Sequence, residues 1–188
     1  MTGKKPKRTA EDRLPGDPTR DDLVEGMIRV DHAGEFGAVR IYEGQLAVLR
    51  GGPAEATIRE MAEQERRHLD GFDRLISERR VRPTALSPLW HAAGFALGAG
   101  TALIGPKAAM ACTEAVEEVI DEHYAAQAEK LGEDEKELRD MIEDYRRDEV
   151  AHRDLAREEG AAEAPGYELL TGAVKAGSRL AIWLSTRI

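Results

Sequence analysis

Residues 58–75, IREMAEQERRHLDGFDRL, and residues 138–155, LRDMIEDYRRDEVAHRDL, share one anomaly. Each spaces its apolar side chains as a core-facing helix does. In the first they are Ile58, Met61, Phe72 and Leu75; in the second, Leu138, Ile142, Tyr145 and Leu155. In the middle of each stripe sit a Glu and a His three residues apart, Glu65 with His68 and Glu149 with His152. Three residues turn a helix through about 300°, so both side chains project from one face. A carboxylate buried without a partner is costly. Two helices that bury the same pair imply a positive charge between them.

Two further segments supply the complement. Val24, Ile28, Asp31, Glu35, Ala38, Tyr42 and Leu46 form a stripe centred on Glu35. Met110, Thr113, Glu117, Ile120 and Tyr124 form another around Glu117. Glu117 is chosen over Glu118 by phase, because Met110, Glu117 and Tyr124 are seven apart; Glu118 and Glu63 read as surface acids. Glu35 precedes Glu65 by 30 residues and Glu117 precedes Glu149 by 32, which reads as a duplicated hairpin. The sum is four Glu and two His: Glu35, Glu65, His68, Glu117, Glu149 and His152. Four carboxylates offset two divalent ions, and oxygen and imidazole donors without thiolate suit iron or manganese. One Glu from each of two helices with Glu-x-x-His from two others is the ligand set of ferritin-like di-metal bundles.

Chain punctuation agrees. A first helix, capped by Asp21 or Asp22, runs to about Arg50, where Gly51-Gly52-Pro53 ends it. A second spans about Ala54 to Arg80, a third about Pro106 to Leu131, and a fourth about Glu133 to Glu159. A last amphipathic helix follows Pro165-Gly166. The expectation is an all-α, ferritin-like four-helix bundle with a long apolar crossover and an additional C-terminal amphipathic helix, occupying residues 21–188. Residues 1–20, Lys-rich and then mixed in charge, read as a disordered lead-in without the features of a signal or transit peptide.

The net charge of -9 argues against nucleic acid as a partner. The single cysteine, Cys112, excludes an intrachain disulfide and a cysteine-based metal site. Asp31 and Asp148 sit beside candidate ligands and read equally as groups that orient the His ligands from outside or as helix-end and surface acids. His123 and Tyr124, two turns from Glu117, are candidates to line a substrate path, although a bundle tyrosine is more often core. His32 and His91 read as structural or interfacial.

Four segments carry a resemblance to a known family. Residues 28–38 (IRVDHAGEFGA), 111–118 (ACTEAVEE), 147–152 (RDEVAH) and 176–185 (AGSRLAIWLS) resemble the signatures of the demethoxyubiquinone hydroxylases, and the likeness extends over about residues 21–188. The resemblance implies a di-iron monooxygenase with two iron ions, Fe(II) or Fe(III), on the same six ligands. It implies hydroxylation of the ring of a polyprenyl methoxy-methyl-benzoquinol in ubiquinone biosynthesis. Another ferritin-like oxidase or peroxidase, or a non-catalytic membrane scaffold, is the competing reading; intact ligands speak against the scaffold.

A prenyl substrate lives in lipid. No Asp, Glu, Lys or Arg occurs between Pro83 and Pro106, and the segment reads as lying in one leaflet rather than spanning. Trp90 and Trp183 suit a membrane interface. The last helix sets Leu170, Val174, Gly177, Leu180, Leu184 and Ile188 on one side, with Lys175, Arg179 and Arg187 for headgroups. The expected partners are a polyprenyl quinone and a membrane surface, with a second copy or a lipid-binding accessory protein as other occupants of the same patch. The expected location is peripheral, on the cytoplasmic face of a bacterial inner membrane.

Overall fold

The computed structural model describes Leu14 and residues 16–188. The lead-in expected over residues 1–20 therefore lies largely outside the described residues. The described residues form six α-helices and no strand: α1 (Arg20–Leu49), α2 (Glu55–Arg79), α3 (Ser87–Ile104), α4 (Pro106–Ala128), α5 (Lys136–Glu158) and α6 (Tyr167–Ser185).

Local chemistry sets the ends. Thr19, not Asp21 or Asp22, caps α1: its hydroxyl accepts from Asp22 N–H at 3.0 Å while the Asp22 carboxylate accepts from Thr19 N–H at 2.7 Å. The two satisfy each other's free donors. Between α3 and α4 the chain turns at Gly105, whose φ of 147° an L side chain rarely adopts, and Pro106 opens α4. A single 3-10 turn, Glu133–Glu135, leads into α5.

Helices α1 and α2 pair as one hairpin and α4 and α5 as the other; α1 meets α4 and α2 meets α5, which closes a four-helix bundle. The two remaining helices cover one side of it. The uncharged crossover is itself a helix, α3, lying along α1, while α6 lies along α4 and reaches α1. No described helix is long and apolar enough to cross a membrane.

The glycines of the crossover serve contact within the protein. At Gly98 an added Cβ would fall inside the Ile41 carbonyl, and at Gly44 inside the Phe95 carbonyl. At Gly94 it would lie 2.9 Å from Gly37 O. The helices touch backbone to backbone, so relief requires moving a whole helix. Gly98→Ala should therefore destabilise the protein by about 1–3 kcal/mol in urea unfolding. Gly100→Ala, on the same helix with nothing within 4 Å, should be neutral or stabilising by up to about 1 kcal/mol.

Candidate metal centre

All six residues singled out by the stripes meet at the bundle centre. Ligand atoms of Glu35, Glu65, His68 and Glu149 lie within 4.8 Å of one another, as do those of Glu65, Glu117, Glu149 and His152. Glu65 and Glu149 belong to both sets. Glu35 and His68 occur only in the first, Glu117 and His152 only in the second. All six side chains are buried, the four Glu at 1% exposure or less.

The donors are arranged for something between them. Both oxygens of Glu65 and of Glu149 lack a hydrogen-bond partner, as do Glu35 Oε2, Glu117 Oε2, His68 Nδ1 and His152 Nδ1. His152 Nδ1 approaches Glu65 Oε1 at 2.9 Å without hydrogen-bond geometry. Burial holds the carboxyls of Glu35, Glu65 and Glu149 well above the usual carboxylate range, and neighbouring carboxylates push them further: Glu65 acts on Glu35 and Glu149, and Glu117 acts on Glu65. Folding so many unsatisfied acceptors into one core is unfavourable unless cations or protons fill the gap. The set fits two divalent ions: four carboxylates, two imidazoles, and two Glu positioned to face both ions. Cys112 is in neither set, and burial pushes its thiol up to about 12.

Four of the six, His68, His152, Glu117 and Glu35, are held from behind by the opposite half of the duplication. His68 Nε2–H donates to Asp148 Oδ2 at 3.1 Å, and His152 Nε2–H donates to Gln64 Oε1 at 2.7 Å. Both bonds leave Nδ1 bare and facing the cluster. Tyr42 O–H donates to Glu117 Oε1 at 2.7 Å and Tyr124 O–H donates to Glu35 Oε1. Burial raises both phenols, so they remain donors. Tyr42 stands seven residues after Glu35, and Tyr124 seven after Glu117.

Asp148 thus orients a His ligand as expected, and Asp31 does not. Asp31 Oδ1 accepts from Gln127 Nε2 at 2.8 Å and lies 3.0 Å from His123 Nε2. One turn before Glu35, Asp31 points along α1 toward α4 rather than across to α2 or α5. Tyr124 is a buried donor to Glu35, and His123 is held by Asp31. His32 is structural, its Nε2 3.0 Å from Asp73. Gln64 carries no charge and was not singled out by sequence, yet it is the duplicate of Asp148: each immediately precedes the Glu of its motif.

An apolar cleft of about 510 Å³ lies beside the centre, between α1, α3, α4 and α6, with no charged side chain in its lining. Ala38 and Ile120, one turn beyond Glu35 and Glu117, lie in its wall with Gly34 and Val116. Trp90 also lines it, its indole N–H donating to Ser185 Oγ at 2.9 Å. The α6 face differs from expectation. Val174 and Gly177 turn inward onto the cleft, and Lys175 and Arg179 are tied to Glu118 and Glu122 of α4 at 2.7 and 3.0 Å. Leu89, Phe95, Leu103 and Ile104 of α3 and its end, with Leu169, Leu180 and Trp183 of α6, remain exposed.

Fold and site together define the class, a ferritin-like carboxylate bundle able to hold metal between four Glu and two His. Within that class the chain belongs to the family of the ubiquinone biosynthesis protein COQ7, whose model matches residues 22–185. It is 57% identical over 183 residues, 97% of this chain and 86% of the relative, to a protein of Rhodospirillum rubrum named 3-demethoxyubiquinol 3-hydroxylase. It is 48% identical over 169 residues, 88% of this chain and 78% of the relative, to the human NADPH-dependent 3-demethoxyubiquinone 3-hydroxylase, mitochondrial. The 5-demethoxyubiquinone hydroxylase, mitochondrial, of Saccharomyces cerevisiae is 42% identical over 183 residues, 88% of this chain and 78% of the relative. The relatives are thus both bacterial and mitochondrial.

Proposed function

We propose that this chain is a demethoxyubiquinol hydroxylase of ubiquinone biosynthesis, an oxygen-dependent monooxygenase with two iron ions on Glu35, Glu65, His68, Glu117, Glu149 and His152. The observation that carries the reading is the pair of overlapping Glu/His sets beside an uncharged cleft. Iron, when bound, would supply the redox chemistry that splits oxygen and delivers one atom to the ring. Ring C–H becomes C–OH, the second oxygen leaves as water, and two electrons and two protons complete the balance. Those electrons come from a reduced quinol or a partner, and the names of two mitochondrial relatives, each an NADPH-dependent hydroxylase, support NADPH as their origin.

The chain's own residues do the positioning. Glu65 and Glu149, common to both ligand sets, would serve both ions, while Glu35 with His68 and Glu117 with His152 would each complete the hold on one. Tyr42 and Tyr124 fix one oxygen of Glu117 and of Glu35, leaving the other for metal. The uncharged walls of the cleft match the apolar tail of a polyprenyl quinol, and Gly34, Ala38, Val116 and Ile120 set it within a turn of Glu35 and Glu117 along α1 and α4. Exposed Leu103, Ile104, Leu169 and Trp183 favour docking of those helices on a membrane surface, with the protein peripheral on the cytoplasmic face of a bacterial inner membrane. A second copy or a lipid-binding accessory protein would cover the same patch; flotation with vesicles of the purified protein separates a lipid-bound state from a self-associated one.

The test of the function uses protein loaded anaerobically with Fe(II), a short-chain demethoxyquinol, a reductant and labelled oxygen. The product quinol should be heavier by one labelled oxygen atom. Unchanged quinol with two irons bound would overturn the substrate assignment, and a hydrogen-peroxide-consuming activity in its place would favour a peroxidase.

A further inference from the structure

The duplication makes Gln64 and Asp148 equivalent in sequence, and the fold gives them equivalent tasks. Each accepts the outer N–H of the His on the opposite helix. Their chemistry differs. A carboxylate acceptor forms a charge-assisted bond, about twice as strong as a neutral one, and draws the imidazole toward a more electron-rich donor. The Asp148 side chain is 41% exposed, so water weakens its charge without removing it. A second pair also breaks the symmetry. Tyr145, four residues before Glu149, stacks on the His68 ring with centroids 4.1 Å apart. Its duplicate Met61, four residues before Glu65, lies against the Tyr42 hydroxyl, where the His152 ring meets Tyr42 only edge-on at 6.5 Å.

We propose that the two metal positions are inequivalent by construction: the Glu35–His68 position, backed by Asp148, binds its ion first and more tightly, and the Glu117–His152 position, backed by Gln64, fills second. The proposal rests on the metal-centre reading above. It assigns Asp148 and Gln64 as positioning residues that grade the two sites, rather than as ligands.

Mn(II) is the probe, titrated anaerobically into metal-free full-length protein by calorimetry and electron paramagnetic resonance. The first equivalent should give the hyperfine-split spectrum of an isolated ion, and the second should convert it to that of a coupled pair. The two dissociation constants should differ roughly tenfold or more, the scale on which outer partners act. Asp148→Asn keeps a hydrogen-bond acceptor and removes the charge; it should weaken the tight step by about 10–100-fold and leave the other. Gln64→Glu should tighten the weak step and narrow the gap. Circular dichroism confirms that each variant is folded. Coupled-pair signals from the first addition, or an Asp148→Asn variant that alters only the weak step, would overturn the grading while leaving the metal centre intact. Absence of any bound Mn(II) in the unmutated protein would overturn the metal centre itself.

Discussion

Glu149→Ala should lose both metal ions and abolish hydroxylation, whereas Glu117→Ala should keep one ion. Glu149 and Glu65 supply oxygens to both ligand sets, while Glu117 supplies only the second. Removing Glu149 takes a donor from each position and leaves a hole lined by Glu35, Glu65 and both imidazoles. Partners one shell further out are worth about 10–100-fold in affinity or activity, so a ligand shared by both positions should be worth more than about 10³-fold in turnover. Metal per chain, measured after gel filtration of Fe(II)-loaded protein, should fall from two to near zero in Glu149→Ala and in Glu65→Ala. It should fall to one in Glu117→Ala. Glu63→Ala, an exposed acid two residues from Glu65, should change neither number. A Glu149→Ala protein that retained two ions would mean that the shared-ligand geometry is wrong. Glu65→Ala and Glu149→Ala proteins that bound no metal yet still supported ubiquinone biosynthesis in cells would return the scaffold reading.

These expectations reach back to what a linear sequence can and cannot carry. The cluster of six residues was legible because a carboxylate at the centre of an apolar stripe violates the rule that stripes obey, and the violation occurs four times. Orientation beyond them was not. Asp31 and Asp148 looked alike, each within a turn of a ligand Glu, but only three-dimensional pairing tells which neighbouring helix each faces: Asp148 crosses from α5 to α2, and Asp31 faces α4. Gln64 was hidden by its neutrality, although the duplication that revealed Glu65 and Glu149 already equated it with Asp148. Tyr42 and Tyr124 stood in the stripes as apolar members; their hydroxyls become visible only when the α1 and α4 stripes are brought face to face.

The crossover shows a different limit. An uncharged, glycine-rich run suits lipid and suits close helix packing equally well, and composition does not separate the two. The structure assigns its Gly94 and Gly98 to the α1 backbone and leaves Phe95, Leu103 and Ile104 on the outside, so one face of the helix packs closely while another stays apolar and exposed. The same division explains α6. Its basic residues, legible as headgroup binders, are drawn instead to the acidic face of α4, where Glu118 and Glu122 lie within ion-pair distance. These pairs tie α6 to α4, and the exposed Arg179–Glu122 pair adds little to stability, about 0–1 kcal/mol.

The metal-free protein should become less stable as pH rises, and metal should reverse the trend. Burial and mutual repulsion raise the carboxyls of Glu35, Glu65 and Glu149 above their ordinary value of 4.5. A carboxyl raised in the folded state binds protons that the unfolded chain has already released, so folding is favoured by acid in that window. The stabilising contribution is complete below about pH 4.5 and is lost as pH climbs through the raised folded-state values. Denaturant midpoints of metal-free protein should accordingly fall between about pH 5 and pH 8, where ordinary proteins hold a plateau. Metal replaces those protons, so loading at neutral pH should release them into a weakly buffered solution, and calorimetry in buffers of different ionisation enthalpy should count them. At a hundredfold excess over the dissociation constant each ion adds about 2.7 kcal/mol. For a chain of this length, two ions should raise the melting temperature by roughly 10–20 °C at neutral pH. The increment should shrink toward pH 5, where protons compete for the same oxygens. Glu65→Gln should flatten the pH dependence of the metal-free protein by removing the carboxyl that couples to both Glu35 and Glu149, and it should forfeit most of the increment from metal. A metal-free protein whose stability instead rose steadily from pH 5 to pH 8 would show that the carboxylates of Glu35, Glu65 and Glu149 are neutralised by something other than protons or metal.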